Sequence, residues 1–138
     1  MTQLVRDAMV PEPGTLEASA SAREAGEVLQ RPEVRAVLVT DDGRLVGVIT
    51  RKTLVGEVIA AGRDPNTTTL GEIAEPPNFT IDSALELDSA FAFIEEHDLE
   101  RVPVVDDGKL VGVLSRAVIQ RRLAEDEPPP ETELVEET

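Results

Sequence analysis

Residues 104–116, VVDDGKLVGVLSR, nearly repeat residues 39–51, VTDDGRLVGVITR, at a constant offset of 65 residues and without a gap. Carried outward, the same offset pairs residues 5–58 with residues 70–123, so that Pro11 matches Pro76, Thr15 matches Thr80 and Ala25 matches Ala90. The period is longer than those of solenoids and propeller blades, and two copies are too few for such an array. The chain has 138 residues, so each half alone would own a marginal core. The expected object is a pair of related units packed on each other.

Each half reads the same way. A helical turn near Val5 or Leu70 leads through Pro11 or Pro76 to a short extended piece, Thr15-Leu16 in one copy and Phe79-Thr80-Ile81 in the other. Helix follows. Ser21 and Glu24 have the spacing of a capping box, in which each side chain satisfies a free backbone N–H of the first turn. That helix should run to about Gln30. In the second copy Leu87, Ala90, Phe93 and Ile94 mark an apolar stripe that should end near His97.

Two strands follow in each half. Val37-Leu38-Val39 and Val102-Pro103-Val104-Val105 are apolar runs, and Asp41-Asp42-Gly43 and Asp106-Asp107-Gly108 supply residues that tolerate positive φ at a hairpin turn. Each hairpin feeds a second helix starting at Arg51 or Arg116, with Thr50 or Ser115 at the N-cap. The fold class is therefore α+β, two βαββα units, each with an N-terminal segment placed to lie against the other copy. Residues 1–61 and 69–123 are the two repeats, and residues 62–68, beginning Gly62-Arg63-Asp64-Pro65-Asn66, join them. Residues 124–138 hold seven acids, three consecutive prolines and no base, the composition of a flexible tail.

Charge and composition exclude several classes of function. A net charge of −15 opposes nucleic acids and anionic membranes, whose recognition begins from a basic footprint. Trp and Tyr are absent, which removes the usual stacking platforms. No apolar run approaches the length of a membrane span, and the first 15 residues lack the apolar core of a secretory signal. A cytoplasmic location is the expectation, and the lack of cysteine agrees with it while removing disulfides and thiolate metal sites.

The blocks Val5-Arg-Asp-Ala-Met9, Leu99-Glu-Arg-Val-Pro-Val-Val-Asp106, Gly43-Arg-Leu-Val-Gly-Val-Ile-Thr50 and Gly108-Lys-Leu-Val-Gly-Val-Leu-Ser115 resemble those of CBS (cystathionine β-synthase-type) domains. Over residues 5 to 123 the two copies together are similar to a CBS pair, or Bateman module. The resemblance implies a pseudo-two-fold unit with two clefts that hold adenosine-containing ligands such as AMP, ADP, ATP or S-adenosylmethionine. It also implies association into a homodimer and a regulatory role exerted on an enzyme, channel or transporter. For a chain of this length that role would run through a separate protein partner.

The same resemblance directs attention to the loop after the second hairpin strand, where such domains carry Gly, two apolar residues, Thr or Ser, two variable residues and Asp. A hydroxyl and free N–H groups at a helix start suit phosphate oxygens, and the Asp accepts hydrogen bonds from ribose. Here the copies read Gly47-Val-Ile-Thr50-Arg-Lys-Thr53 and Gly112-Val-Leu-Ser115-Arg-Ala-Val118, so the Asp is missing from both. Thr53 retains one hydroxyl and Val118 none, and a polar ligand group left unmet costs about 1–3 kcal/mol. The first-half cleft is the better candidate.

Arg51, Lys52 and Arg116 place cations in a first helical turn, against the helix dipole, and an anionic ligand would offset that. Thr15 and Thr80 occupy the short strand where such domains contact base or ribose. Arg35 and Arg101, which begin the second strand of each copy, either reach into the clefts or pair with Glu33, Asp98 or Glu100. Val37 and Val102 would wall an adenine. With Thr50, Thr53 and Ser115 these are the candidate ligand-binding residues.

Catalytic and metal sites are not expected. His97 stands alone among Glu95, Glu96 and Asp98 without a second His or a Cys, and the Asp pairs before Gly are explained by their turns. Two functions follow as expectations. One is a sensor of an adenosine-containing ligand that signals to a protein partner. The other is an interaction or structural module in which the loss of the Asp has ended nucleotide binding.

Overall fold

The structure is a computed structural model that describes residues 3–11 and 14–126. In chain order it comprises α1 (Val5–Ala8), β1 (Val10–Pro11), β2 (Thr15–Glu17), α2 (Ala22–Leu29), β3 (Val37–Asp41), β4 (Arg44–Ile49) and α3 (Arg51–Leu54), which continues as a π-helical turn (Val55–Ile59). The second half comprises α4 (Leu70–Ile73), β5 (Ile81–Asp82), α5 (Leu87–Glu96), β6 (Arg101–Asp106), β7 (Lys109–Ser115) and α6 (Arg116–Asp126).

Local chemistry sets these boundaries. At α2 the Glu24 N–H donates to Ser21 Oγ at 3.2 Å and the Ser21 N–H to Glu24 Oε2 at 2.9 Å, the reciprocal box read from the sequence. The α5 helix caps at His97. Both hairpins turn through an Asp-Gly pair with φ of 52° and 81° at Asp42 and Gly43, and 53° and 81° at Asp107 and Gly108. Positive φ at both central residues matches the right-handed twist of the strands, which is why Asp-Gly serves there. A register shift follows in each hairpin, between Val39 and Thr40 and between Val104 and Val105, again 65 residues apart.

The strands form one sheet in the order β2-β3-β4-β7-β6-β5, with β1 added on β7. β2 runs parallel to β3 and β5 parallel to β6, while the hairpins and the β4–β7 join are antiparallel. That join is short: Arg44 faces Lys109, Leu45 N–H donates to Gly108 O at 3.3 Å and Leu110 N–H to Gly43 O at 3.0 Å. The halves thus meet at their hairpin tips, and β4 and β7 run away from the join in opposite directions.

Each half is completed by the other half's first helix. Val5 and Ala8 of α1 are buried in the second-half core with Leu87, Ile94 and Ile119. Leu70 and Ile73 of α4 are buried in the first-half core with Leu29, Val39 and Ile49. Matching backbone bonds fasten both. Leu70 N–H reaches Ala20 O and Gly71 N–H reaches Ala18 O, each at 2.9 Å, while Val5 N–H reaches Leu85 O at 2.9 Å and Arg6 N–H reaches Ser83 O at 3.1 Å. Glu75 then pairs with Val48, and Val10 with Val113.

Gly47 and Gly112 admit this crossing. A Cβ on Gly47 would sit 2.5 Å from Ala74 Cβ and 3.0 Å from Glu75 O, and one on Gly112 would sit 2.8 Å from both Met9 Sδ and Val10 O.

Two sequence expectations need correction, and one feature was not foreseen. The second helix of the second half does not stop at Leu123 but continues to Asp126, so the boundary at residue 124 falls inside a helix; residues 127–138 lie outside the described ones. Of the extended piece Phe79-Thr80-Ile81 only Ile81 joins strand β5, and the Phe79 ring turns to Phe93 and His97. The helix from Arg51 changes to π-helical winding at Val55, which its counterpart α6 does not do.

Candidate functional site

The strand register gathers the candidate residues into two groups. In the first half Thr15 starts β2 beside Leu38, Val37 starts β3 opposite Ile49, and Thr50 to Thr53 follow directly. In the second half Thr80 precedes Ile81, Arg101 lies opposite Ser115 and Val102 opposite Leu114. Because β4 and β7 diverge from the tip join, these ends lie at opposite extremes of the sheet. The other half's crossing segment borders each: Glu75 exchanges backbone bonds of 2.8 and 3.0 Å with Val48, and Val10 lies beside Val113.

At the first-half end, Thr50 caps α3. Thr53 N–H donates to Thr50 Oγ1 at 3.3 Å, Thr50 N–H to Thr53 Oγ1 at 3.1 Å, and the two hydroxyls lie 3.0 Å apart. Thr53 is 1% exposed. Its hydroxyl, considered above as a ribose contact, is the second member of a capping box, a role that two threonines three apart made legible. Thr50 remains half-buried and Thr15 exposed. In the second half Val118 N–H donates to Ser115 Oγ at 3.2 Å, so Ser115 caps α6, but Val118 gives nothing back.

The cations divide in a way the sequence did not foretell. Arg51 Nη2 donates to the Arg31 carbonyl at 2.8 Å, just beyond the end of α2. Arg116 donates through Nε to Leu99 O at 3.0 Å and through Nη2 to Ile94 O at 3.3 Å and Asp98 Oδ1 at 3.4 Å. Both guanidiniums thus reach carbonyls at the end of the preceding helix, where cations belong. The expected need for an external anion is met inside the protein. Asp98, just beyond the α5 cap with φ of 53°, pairs with Arg116 and not with Arg101.

Lys52, Arg35 and Arg101 are exposed and make no ion pair or side-chain hydrogen bond among the described residues. Arg101 starts β6 as expected, whereas Arg35 lies two residues ahead of β3. Val37 and Val102, at 3% and 1% exposure, are committed to their cores.

One cluster escaped sequence reasoning. His97 lies with its ring centroid 4.7 Å from Phe79 and 4.5 Å from Phe93, whose rings meet edge to face at 5.6 Å. Their first-half counterparts are Gly14, Val28 and Pro32, so the cluster belongs to the second copy. The helical spacing of Phe93 and His97 was visible; Phe79 joins them through the fold. Among the described residues no three His, Asp or Glu side chains gather as a metal site, and no helix is long and apolar enough to cross a membrane.

Comparison with known proteins places these features in company. The family model of the CBS domain matches residues 5–60 and 70–125. Hypoxic response protein 1 of Mycobacterium tuberculosis is 35% identical over 102 residues, covering 73% of this chain and 71% of that protein. The crystal structure of that protein, with two coordinated zinc ions, superposes with a TM-score of 0.72 at 30% identity over 87% of this chain and 98% of the other. CBSX2, a chloroplastic CBS domain-containing protein of Arabidopsis thaliana, was solved in complex with AMP and superposes with a TM-score of 0.69 at 28% identity, covering 88% of this chain and 96% of that one. An acetoin utilization protein of Vibrio cholerae, at 20% identity and a TM-score of 0.76 over 94% of this chain and 100% of its own, shares the fold.

Proposed function

This chain belongs to the CBS-domain family as a tandem pair, and on that footing we propose that it is a non-catalytic regulatory module that binds an adenosine-containing ligand at the first-half end of the sheet. The observation that carries the reading is the helix start at Thr50: a half-buried threonine with Lys52 two residues on and Arg35 two residues ahead of β3, both exposed and without an ion pair among the described residues, in a fold shared with an AMP-bound relative. Lys52 and Arg35 meet the phosphate, Thr15 and Thr50 orient the ribose and base, and Arg51 holds the end of α2. The ligand is AMP, ADP, ATP or S-adenosylmethionine. Its binding shifts the contact between the halves, and a partner protein reads the change; a ligand moves such an equilibrium through differential affinity for two states. The module works as a homodimer.

A second reading has its own support. Thr53 spends its hydroxyl on Thr50, Val118 has none, and Arg51 and Arg116 are engaged within the chain. These favour an interaction scaffold without a nucleotide.

Thermal unfolding with each of the four ligands, followed by far-UV circular dichroism because Trp and Tyr are absent, separates the readings. A ligand at about 100 times its Kd stabilises by roughly 2.7 kcal/mol, several degrees for a protein of this size. A shift that Lys52→Ala abolishes establishes the sensor. No shift with any ligand at millimolar concentration establishes the scaffold.

A further inference from the structure

Lys52 and Glu75 bring opposite charges to the first-half end of the sheet from different copies of the repeat. Lys52 stands in the first turn of α3, and Glu75 arrives on the crossing segment just after α4. Glu75 faces Val48 across two backbone bonds, Val48 N–H to Glu75 O at 2.8 Å and Glu75 N–H to Val48 O at 3.0 Å. Residues opposed in this way put their side chains on one face, and the residue two along shares that face at about 7–8 Å, within reach of a long side chain. Here that residue is Thr50, whose extended backbone, φ −122° and ψ 173°, carries the alternation of β4 through to the cap. Glu75 is exposed, and its carboxylate makes no ion pair or hydrogen bond among the described residues.

The duplication supplies the control. The counterparts of Lys52 and Glu75 in the other copies are Ala117 and Val10, so the second-half end has two aliphatic residues where the first has both signs of charge. The fold does not need the charges, because Val10 pairs with Val113 without them. Among the ligands of the sensing reading, AMP, ADP and ATP add only negative charge to the nucleoside, whereas S-adenosylmethionine adds a sulfonium and an ammonium against one carboxylate. A carboxylate beside the site opposes each further phosphate, and the net charge of −15 opposes it again. The same carboxylate attracts the sulfonium and ammonium, while Lys52 takes the carboxylate of the amino-acid tail. Resting on the sensing reading, we propose that Glu75 is the specificity-determining residue of the first-half end. It selects an adenosyl sulfonium with an amino-acid tail over AMP and, more strongly, over ADP and ATP.

Equilibrium dialysis of the full chain against S-adenosylmethionine, AMP and ATP tests this. The native chain should hold S-adenosylmethionine most tightly and ATP least. Glu75→Gln keeps the side-chain length and the backbone pairing. It should weaken S-adenosylmethionine roughly fivefold, the upper value of one exposed charge pair, and strengthen ATP. Glu75→Lys should reverse the order of the two, and added salt should narrow the differences as the screening length contracts. Binding in which Glu75→Gln shifts all three ligands alike, or none of them, overturns the inference and leaves the sensing reading standing. No binding of any ligand by the native chain or by either variant overturns the sensing reading and the inference with it.

Discussion

Arg44 and Lys109 face each other where β4 meets β7, and each occupies in its own half the position that the other occupies in the partner half. Two cations in opposed positions would repel, but the Arg44 guanidinium turns aside and donates through Nη1 to the Asp107 carbonyl at 3.1 Å. It lies over Gly108, where an added Cβ would meet it. The join is thereby asymmetric in its side chains although symmetric in its backbone.

Gly108→Ala should therefore be more damaging than Gly43→Ala. Both place a Cβ at φ of 81°, a conformation that costs an L-residue about 1–2 kcal/mol, and only the former also displaces Arg44. Urea unfolding of the two variants should show the larger loss at Gly108.

Gly47→Ala should destabilise by about 1–3 kcal/mol, the range for forced overpacking, because the methyl collides with Ala74 and the Glu75 carbonyl. Gly112→Ala meets the flexible Met9 side chain as well as the Val10 carbonyl, so part of its strain relaxes. The double substitution Gly112→Ala with Met9→Ala should recover some of the loss in denaturant titration.

Arg116→Ala should cost about 1–3 kcal/mol, since the Leu99 and Ile94 carbonyls lose a partly buried charged donor. Asp98→Ala should change stability by less than about 1 kcal/mol, because its carboxylate is 95% exposed. Equal losses in the two variants, measured by calorimetry, would show that the ion pair and not the carbonyl contacts is what matters.

Thr53→Asp tests the missing carboxylate. Under the sensing reading the native chain binds AMP and the variant binds it roughly tenfold or more tightly, the value of one polar ligand group satisfied. Titration calorimetry decides: binding by the variant alone identifies a degenerate site, and the scaffold reading then describes the native chain.

Features fixed by neighbouring residues were legible beforehand. The Ser21–Glu24 box, the Asp-Gly turns and the Thr50 and Ser115 caps each depend on contacts within three or four residues, and the repeat guaranteed that what held in one half would recur in the other. The partners of Arg51 and Arg116 lie 17 to 22 residues away in sequence, at a distance where pattern no longer specifies geometry. Phe79 likewise meets His97 across 18 residues of sequence, through the fold and not through local spacing. In the candidate site, residue types told which positions face a helix start. They could not tell which cations already had partners inside the fold, and it is that distinction which leads the proposed sensing function to rest on Lys52 and Arg35 in place of Arg51.

The exchange of α1 and α4 orders events during synthesis. The first core lacks Leu70 and Ile73 until the ribosome has begun the second copy, so a first half released after residue 61 would leave its own interior open. The second core faces the reverse situation, because Val5 and Ala8 are made long before anything exists to receive them. Neither half can be finished as an independent apprentice of the other. The duplicated chain should therefore melt in one step, and an ancestor with a single copy would have had to borrow its missing helix from a twin.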